Sequence, residues 1–213
     1  MEIQRKVLKL DNAEIEENEK RSLERISLYR SCGLDRTRSQ EFIVKKAGSL
    51  KGGILEIGTG KGYLTVLLAK KTENMISVDI SEAEQRFAAL NAAAAEVLNK
   101  IEFNLCDARK LPYSDNNFDL VISANAFHHF EYPFAVLKEM IRVCRNKLVI
   151  ADFNKGGFEI VRKIHQDEGR EHEEQHGDFG IVGVYLKEHG FSVNRFEDYC
   201  QIVYVAKKSK RRG

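Results

Sequence analysis

Residues 54–62 read Ile54-Leu55-Glu56-Ile57-Gly58-Thr59-Gly60-Lys61-Gly62, an apolar run that stops at glycines on alternate positions and passes at once into the helix-like stretch Tyr63 to Lys71. Strand, loop and helix in that order make a ligand-cradling unit, because glycine has no Cβ to forbid positive φ or to hold a bound molecule at a distance. The spacing sorts the ligand. A dinucleotide fingerprint wants Gly-x-Gly-x-x-Gly, and the position of its third glycine is Tyr63. A P-loop needs Gly-x-x-x-x-Gly-Lys-Ser/Thr, whereas Gly60-Lys61 is followed by Gly62 and has no glycine at the required upstream position. Both readings are disfavoured.

Outward from this unit, short β-prone runs alternate with longer amphipathic stretches, the pattern of βαβ units in a parallel sheet. The expected strands are Ile54–Ile57, Met75–Asp79, Ile101–Leu105, Phe118–Ser123, Lys147–Asp152, Phe191–Phe196 and Tyr199–Lys207. Ser81-Glu-Ala-Glu84 is a capping box opening an alanine-rich helix to about Leu98, and Pro133 suits the first position of a crossover helix carrying Leu137, Met140 and Ile141. Only Glu197-Asp198 separates the last two runs, too little for a crossover, so they form an antiparallel hairpin. The expected fold is α/β: a doubly wound, Rossmann-like seven-stranded sheet, mostly parallel with the last strand antiparallel, and helices on both faces. Residues 1–50 carry helical spacings (Leu23, Ile26, Tyr29, then Phe42, Ile43, Ala47) and are expected to pack on or cap the core formed by residues 51–213, in one structural domain.

The 213 residues suit one well-buried core, and a formal charge of +2 marks no nucleic-acid or acidic-membrane partner. Cys32, Cys106, Cys144 and Cys200 are scattered, which argues against a disulfide framework or a thiolate zinc site and fits a reducing compartment. With no apolar run near the roughly 20 residues of a bilayer span, and a charged start at Met1, a cytoplasmic protein is expected. The basic run Lys207 to Gly213 reads as a solvated tail, since no aromatics interleave it for base stacking.

In an open parallel sheet, ligands sit beyond the carboxyl ends of the strands. There the sequence places the glycine loop, then Asp79 about twenty residues on, where a carboxylate can accept from both ribose hydroxyls of a nucleoside, then Cys106-Asp107-Ala108 and Ser123-Ala124-Asn125. Each has a purely local alternative: turn glycines, an N-cap at Asp79, an Asx turn at Asp107, ordinary strand ends at Ser123 and Asn125.

Together these motifs, from about Gly53 to Asp152, resemble the class I S-adenosylmethionine-dependent methyltransferases. The stretch Asp107 to Ser123 with Phe127-His128-His129-Phe130 after it is similar to the branch that includes the ubiquinone and menaquinone C-methyltransferases. The resemblance implies S-adenosylmethionine as cofactor, with Gly58, Thr59, Gly60 and Gly62 near its methionine part and Glu56 receiving the ammonium. It further implies Asp79 on the ribose, Ile80 against the adenine face, Asp107 and the Ala108 amide on the adenine edge, and Ser123 and Asn125 where cofactor meets acceptor. The expected activity is methyl transfer to a small-molecule acceptor by in-line displacement, so that holding the partners in line supplies much of the acceleration. In related enzymes an Asn-Pro-Pro-Tyr type segment after the fourth strand marks attack by a nucleobase or glutamine nitrogen; the residues here run Ser123-Ala-Asn-Ala-Phe127, so the resemblance implies other acceptors.

The alternatives are a regulatory protein that binds S-adenosylmethionine or S-adenosylhomocysteine without turnover, and an oxidoreductase, which Tyr63 disfavours. His128 and His129 are weak candidates for a general base. His165, Glu168, His172 and His176 fall within roughly 80° of one helical face and would suit a metal or a substrate lid; with Gly169 and Gly177 interrupting a charged stretch, no metal is assigned. Acceptor specificity is expected in the first fifty residues and in about Asn154 to Gly190, where Tyr29 and Phe158 are apolar but receive no role.

Overall fold

The computed structural model describes residues 4–5, 9–167 and 179–208. Its strands are β1 (Gln4–Arg5), β2 (Ile54–Ile57), β3 (Met75–Asp79), β4 (Ile101–Leu105), β5 (Phe118–Ala124), β6 (Cys144–Phe153), β7 (Phe191–Glu197) and β8 (Gln201–Lys208). Its helices are α1 (Asn12–Ser31), α2 (Arg36–Ala47), α3 (Tyr63–Ala69), α4 (Glu82–Ala94), α5 (Pro133–Val143), α6 (Lys155–Asp167) and α7 (Ile181–Glu188). The sheet order is β1-β4-β3-β2-β5-β6-β8-β7. Strands β2 to β6 pair in parallel, and β8 runs antiparallel between β6 and β7. The doubly wound sheet with a reversed last strand is therefore present. To it is added β1, antiparallel to β4, a two-residue edge pairing too short to show any alternation in sequence.

All four residues of β2 are buried, as suits a central strand covered on both faces. Leu55, Ile57, Val121 and Leu148 meet Leu137 and Met140 of α5 and Leu186 of α7 on one face. Ile54, Leu120 and Val149 meet Ile43 of α2 and Leu64 and Leu68 of α3 on the other. Helix α1 packs on α4. Asn91 of α4 ties the two to the glycine loop: its Oδ1 accepts from Asn18 Nδ2 at 2.8 Å and Ser22 Oγ at 2.9 Å, and its Nδ2 donates to the Lys61 carbonyl at 2.7 Å. Helix α2 is pinned to the sheet by Gln201 Nε2 donating to the Ser39 carbonyl at 2.9 Å and by Lys147 Nζ on the carbonyls of Ala47 and Ser49.

Three local details depart from the sequence reading. Helix α4 stops at Ala94, short of Leu98, because Glu96 adopts φ 58° and the amides of Glu96 and Val97 return to the carbonyls of Ala93 and Ala92. This is a left-handed helix stop that uses glutamate where glycine is usual, so no glycine announces it. The capping box forms by half: Ser81 Oγ accepts from the Glu84 amide at 3.2 Å, but the Ser81 amide donates to Asp79 Oδ1 at 2.9 Å and the Glu84 carboxylate takes Lys61 Nζ at 3.0 Å. Finally, Lys207 and Lys208 belong to β8, and Lys208 Nζ donates to the Cys144 carbonyl at 2.6 Å, so the basic run begins as sheet; Ser209 to Gly213 lie outside the described residues.

Gly62 caps α3 at φ 77°, and a Cβ there would stand 2.7 Å from Ala88 Cβ and 2.8 Å from Ala88 Cα of α4. Gly62→Ala combines left-handed strain with overlap against a helix backbone and should lower unfolding free energy by about 3 kcal/mol. Gly190→Ala, at φ 82° with no atom within 4 Å, should cost only about 1 kcal/mol. Urea unfolding of both variants measures the difference.

Candidate active site

The chain runs from β2 to β3 and β4 on one side, then crosses back to β5 on the other, so the strand order reverses between β2 and β5. A crevice opens at such a reversal, outside the carboxyl ends of the strands. Its floor is set by one close approach: Gly58, at φ 80°, would place a Cβ 2.6 Å from Ala126 Cβ. The loop is tied to β3 by the amides of Gly58 and Thr59 on the Val78 carbonyl, and by the Gly60 amide on Asp79 Oδ2 at 2.8 Å. Asp79 thus orders the glycine loop and the start of α4 with its two oxygens. Each carboxylate oxygen keeps a further lone pair that can accept from a ligand hydroxyl.

Glu56 is 2% exposed, yet it lines the crevice. Its Oε2 accepts from Thr65 Oγ1 at 2.6 Å and Ser77 Oγ at 2.7 Å, and Ser77 in turn pairs with Thr59 Oγ1 at 2.7 Å. The Thr59 hydroxyl is thereby committed to this buried chain of hydrogen bonds. Burial pushes the Glu56 carboxyl up to about 7, an effect that the two hydroxyls oppose and nearby Asp79 reinforces.

Two connected hollows extend from this floor. One, about 260 Å³, is lined by Val78, Asp79, Ile80, Asp107, Ala108 and Tyr132 among others. Ile80 is 70% exposed at its mouth, an apolar surface facing an open cleft. Asp107 is engaged by its own neighbour: Arg109 Nε lies 2.8 Å from Oδ2 and 3.0 Å from Oδ1, and the Arg109 amide donates to Oδ1 at 2.8 Å, which holds the carboxyl below its usual range. An adenine amino group reaching Asp107 must displace part of this pairing.

The second hollow, about 510 Å³, shares Gly58, Asp79, Ile80, His129 and Phe130 with the first and continues under α1 and α2. His128 forms part of its wall. The Nδ1 of His128 lies 2.7 Å from Asp152 Oδ1, and the backbone amides of His128 and Phe153 also donate to Asp152, at 2.9 and 2.8 Å. A carboxylate fed by three donors accepts from Nδ1, which leaves Nε2 as the basic nitrogen of the neutral ring. His129 is exposed and stacks on His128 with ring centroids 3.9 Å apart. Asn125 lines the same hollow at φ 53°, its Oδ1 buried without a hydrogen-bond partner among the described residues. Ser123 is not brought to either hollow. Alternation along β5 turns it away from Ala124, and its hydroxyl is buried without a partner among the described residues.

The roof is the part that the sequence left blank. Tyr29 is fully buried, with its hydroxyl 3.1 Å from His165 Nε2 and accepting from Arg25 Nη2 at 3.0 Å. Phe158 packs edge-on to His128 at 5.2 Å between ring centroids. Of the spaced His/Glu group, only His165 is described; Glu168, His172 and His176 lie outside the described residues. No group of three metal-ligating side chains occurs among the described residues. Asp152 could have been found as the carboxylate closing the fifth expected strand, but its partner His128 is 24 residues away in sequence.

Residues 55–150 match the methyltransferase domain family. The matched residues include the glycine loop, Asp79, Asp107 and His128. It is 29% identical over 163 residues, 70% of this chain, to the 27-O-demethylrifamycin SV methyltransferase of Amycolatopsis mediterranei. It is 31% identical over 144 residues, 64% of this chain, to the ubiquinone/menaquinone biosynthesis C-methyltransferase UbiE of Rickettsia prowazekii. These matches cover 57% and 58% of the relatives, so the chain spans little more than half of their length. A solved SAM-dependent methyltransferase from Aquifex aeolicus shares the fold, with a TM-score of 0.64 and 22% identity over 94% of this chain and all of that one.

The Aquifex aeolicus protein of the same fold is SAM-dependent. The crevice fits the polarity of S-adenosylmethionine: two carboxylates, Glu56 and Asp79, face the floor beside a loop of open backbone, and exposed Ile80 offers an apolar surface for a base. A carboxyl raised on folding binds more protons folded than unfolded between about 4.5 and about 7, so stability falls as pH rises through that window. For the protein without ligand, Glu56 should contribute a loss of up to about 3 kcal/mol between pH 4.5 and 7.5. Urea unfolding of wild type and Glu56→Gln across this range should show the extra slope in wild type only.

Proposed function

We propose that the protein moves a methyl group from S-adenosylmethionine to a small-molecule acceptor that surrenders a proton to His128. The observation that carries this reading is His128, held by buried Asp152, lining the same hollow as Glu56 and the glycine loop. When bound, the cofactor supplies an electrophilic methyl group on a positively charged sulfur. Asp79 accepts from the ribose hydroxyls, Ile80 lies on the adenine face, and the Ala108 amide donates to the base, with Asp107 joining as Arg109 yields. Glu56 accepts from the methionine ammonium. Asn125 Oδ1, in the wall of the larger hollow, accepts from whichever donor reaches it.

On the acceptor side, Asp152 fixes the ring of His128 with Nδ1 protonated, and Nε2 would take the proton that the acceptor atom releases. Packing of His128 against Phe153 and Phe158 keeps that wall apolar and limits water. A hydroxyl, or a carbon made acidic by a neighbouring phenol, is the class of acceptor that needs such a base. The names of the two relatives, one acting on 27-O-demethylrifamycin SV and one a C-methyltransferase, support this class. The four thiols are free, which supports a reducing, cytoplasmic setting.

Calorimetry with S-adenosylhomocysteine, followed by turnover with a panel of phenols, hydroxylated macrocycles and amines, tests the reading. Binding with no turnover of any acceptor would make the chain a binding protein. With a turned-over acceptor, His128→Ala should lower kcat by about a hundredfold to ten-thousandfold while S-adenosylhomocysteine affinity stays within about threefold; Asp152→Asn should follow it in direction. Only ionised Glu56 receives an ammonium well, so affinity for S-adenosylhomocysteine should rise by up to about tenfold per pH unit from pH 5 to 7 and then level. Glu56→Gln should bind more weakly and lose that dependence.

A further inference from the structure

Between the glycine loop and the roof helices, three side chains present polar atoms that no described residue satisfies. Arg36 Nε, Gln40 Oε1 and Tyr63 Oη are all buried without a hydrogen-bond partner among the described residues, and all three side chains line the larger hollow. Gln40 is only 7% exposed. Such groups are costly: an unsatisfied buried donor or acceptor forfeits its hydration and gains nothing in return. They are also held in place. The Arg36 guanidinium lies 3.8 Å from the centroid of the Tyr29 ring and 5.3 Å from that of Tyr63, stacked between two aromatics. Arg36 and Gln40 are one helical turn apart on α2, and Tyr63 opens α3 directly after Gly62.

The mixture of donors and acceptors identifies what would satisfy them. Arg36 offers a fixed positive charge and an N–H donor, and the Tyr63 hydroxyl a second donor, which together suit a carboxylate. Gln40 Oε1 is an acceptor, and Glu56 across the same hollow is another, which together suit an ammonium. One group carries both charges on one carbon: an α-amino acid head.

We propose that Arg36, Gln40 and Tyr63 form a receptor for the α-amino-acid end of the cofactor, with Arg36 reading the carboxylate. This rests on the reading above that the crevice holds S-adenosylmethionine. It places part of the cofactor site on α2, so that binding clamps the N-terminal helices onto the glycine loop, and it makes Arg36 the residue that distinguishes the cofactor from its decarboxylated form.

Calorimetric titration of the full chain with three nucleosides tests this: S-adenosylhomocysteine, its decarboxylated analogue, which keeps the amine, and methylthioadenosine, which lacks both groups. Wild type should prefer the first over the second by roughly tenfold or more. Arg36→Met should weaken S-adenosylhomocysteine by roughly tenfold to a hundredfold and leave the decarboxylated analogue within about threefold, which abolishes the preference. Gln40→Leu should weaken both amine-bearing ligands and spare methylthioadenosine. Unchanged methylthioadenosine affinity in each variant shows an intact fold. An Arg36→Met variant that keeps the wild-type preference, or that weakens both amine-bearing ligands equally, overturns the proposal. Failure of wild type to bind any of the three would overturn the cofactor reading itself.

Discussion

A carboxyl group buried in the middle of the sheet is the constraint around which the rest of this structure is arranged. Glu56 sits on the central strand β2, 2% exposed, where an apolar residue would pack at no electrostatic cost. Two hydroxyls from different elements, Thr65 of α3 and Ser77 of β3, converge on one of its oxygens, and Thr59 of the glycine loop holds Ser77 from below. The network adds polar ties between strand, loop and helix to the apolar packing of Ile54 on Leu64 and Leu68. It still leaves the charged form underpaid in solvation, which is why burial drives the carboxyl up to about 7. A cationic ligand is what such a group lacks, and the proposed ammonium contact would supply it.

The glycine loop translates that arrangement into an opening. Close approach of Gly58 to Ala126 brings the ends of β2 and β5 together at the reversal in strand order, and the Gly60 amide on Asp79 aligns the loop with the end of β3. Asp79 is therefore structural before it is anything else: it occupies the Gly60 and Ser81 amides and presents its remaining lone pairs to the cleft. The half-formed capping box follows from the same economy. With Asp79 on the Ser81 amide, Glu84 is released to hold Lys61, and Asn91 reaches from α4 to the Lys61 carbonyl, so the loop is anchored from both sides.

Opposite this acidic floor stands a wall of different character. His128 stands in the turn that follows β5 and Asp152 near the end of the adjacent parallel strand β6, and the rings of Phe153 and Phe158 pack on His128. Above, α2 carries Arg36 and Gln40 over the crevice, with Tyr29 of α1 as the platform for the guanidinium. Carboxylates below, a basic nitrogen to one side and a cation above divide one hollow into regions of distinct charge preference, which is what orienting two reactants in line requires.

The strands, the reversed last strand and the glycine loop were legible because each is encoded locally: short β-prone apolar runs, the absence of room for a crossover between Phe196 and Tyr199, and glycine where φ is positive. Asp79, Asp107 and Asn125 could be placed at strand ends for the same reason. The sequence could not show that Asp107 is claimed by Arg109, that Ser123 faces away from the cleft, or that α4 ends on a left-handed glutamate, since these depend on side-chain direction and on competition between nearby partners. Nor could it pair His128 with Asp152 or carry Arg36 to Tyr63, because residues far apart in the chain become neighbours only when strands align in register and helices dock. Sequence by itself determined the sheet, the loop and the kind of ligand the floor would accept; only the tertiary structure decided which carboxylate meets which histidine and which polar atoms are left waiting, because hydrogen-bond satisfaction is a property of the packed whole.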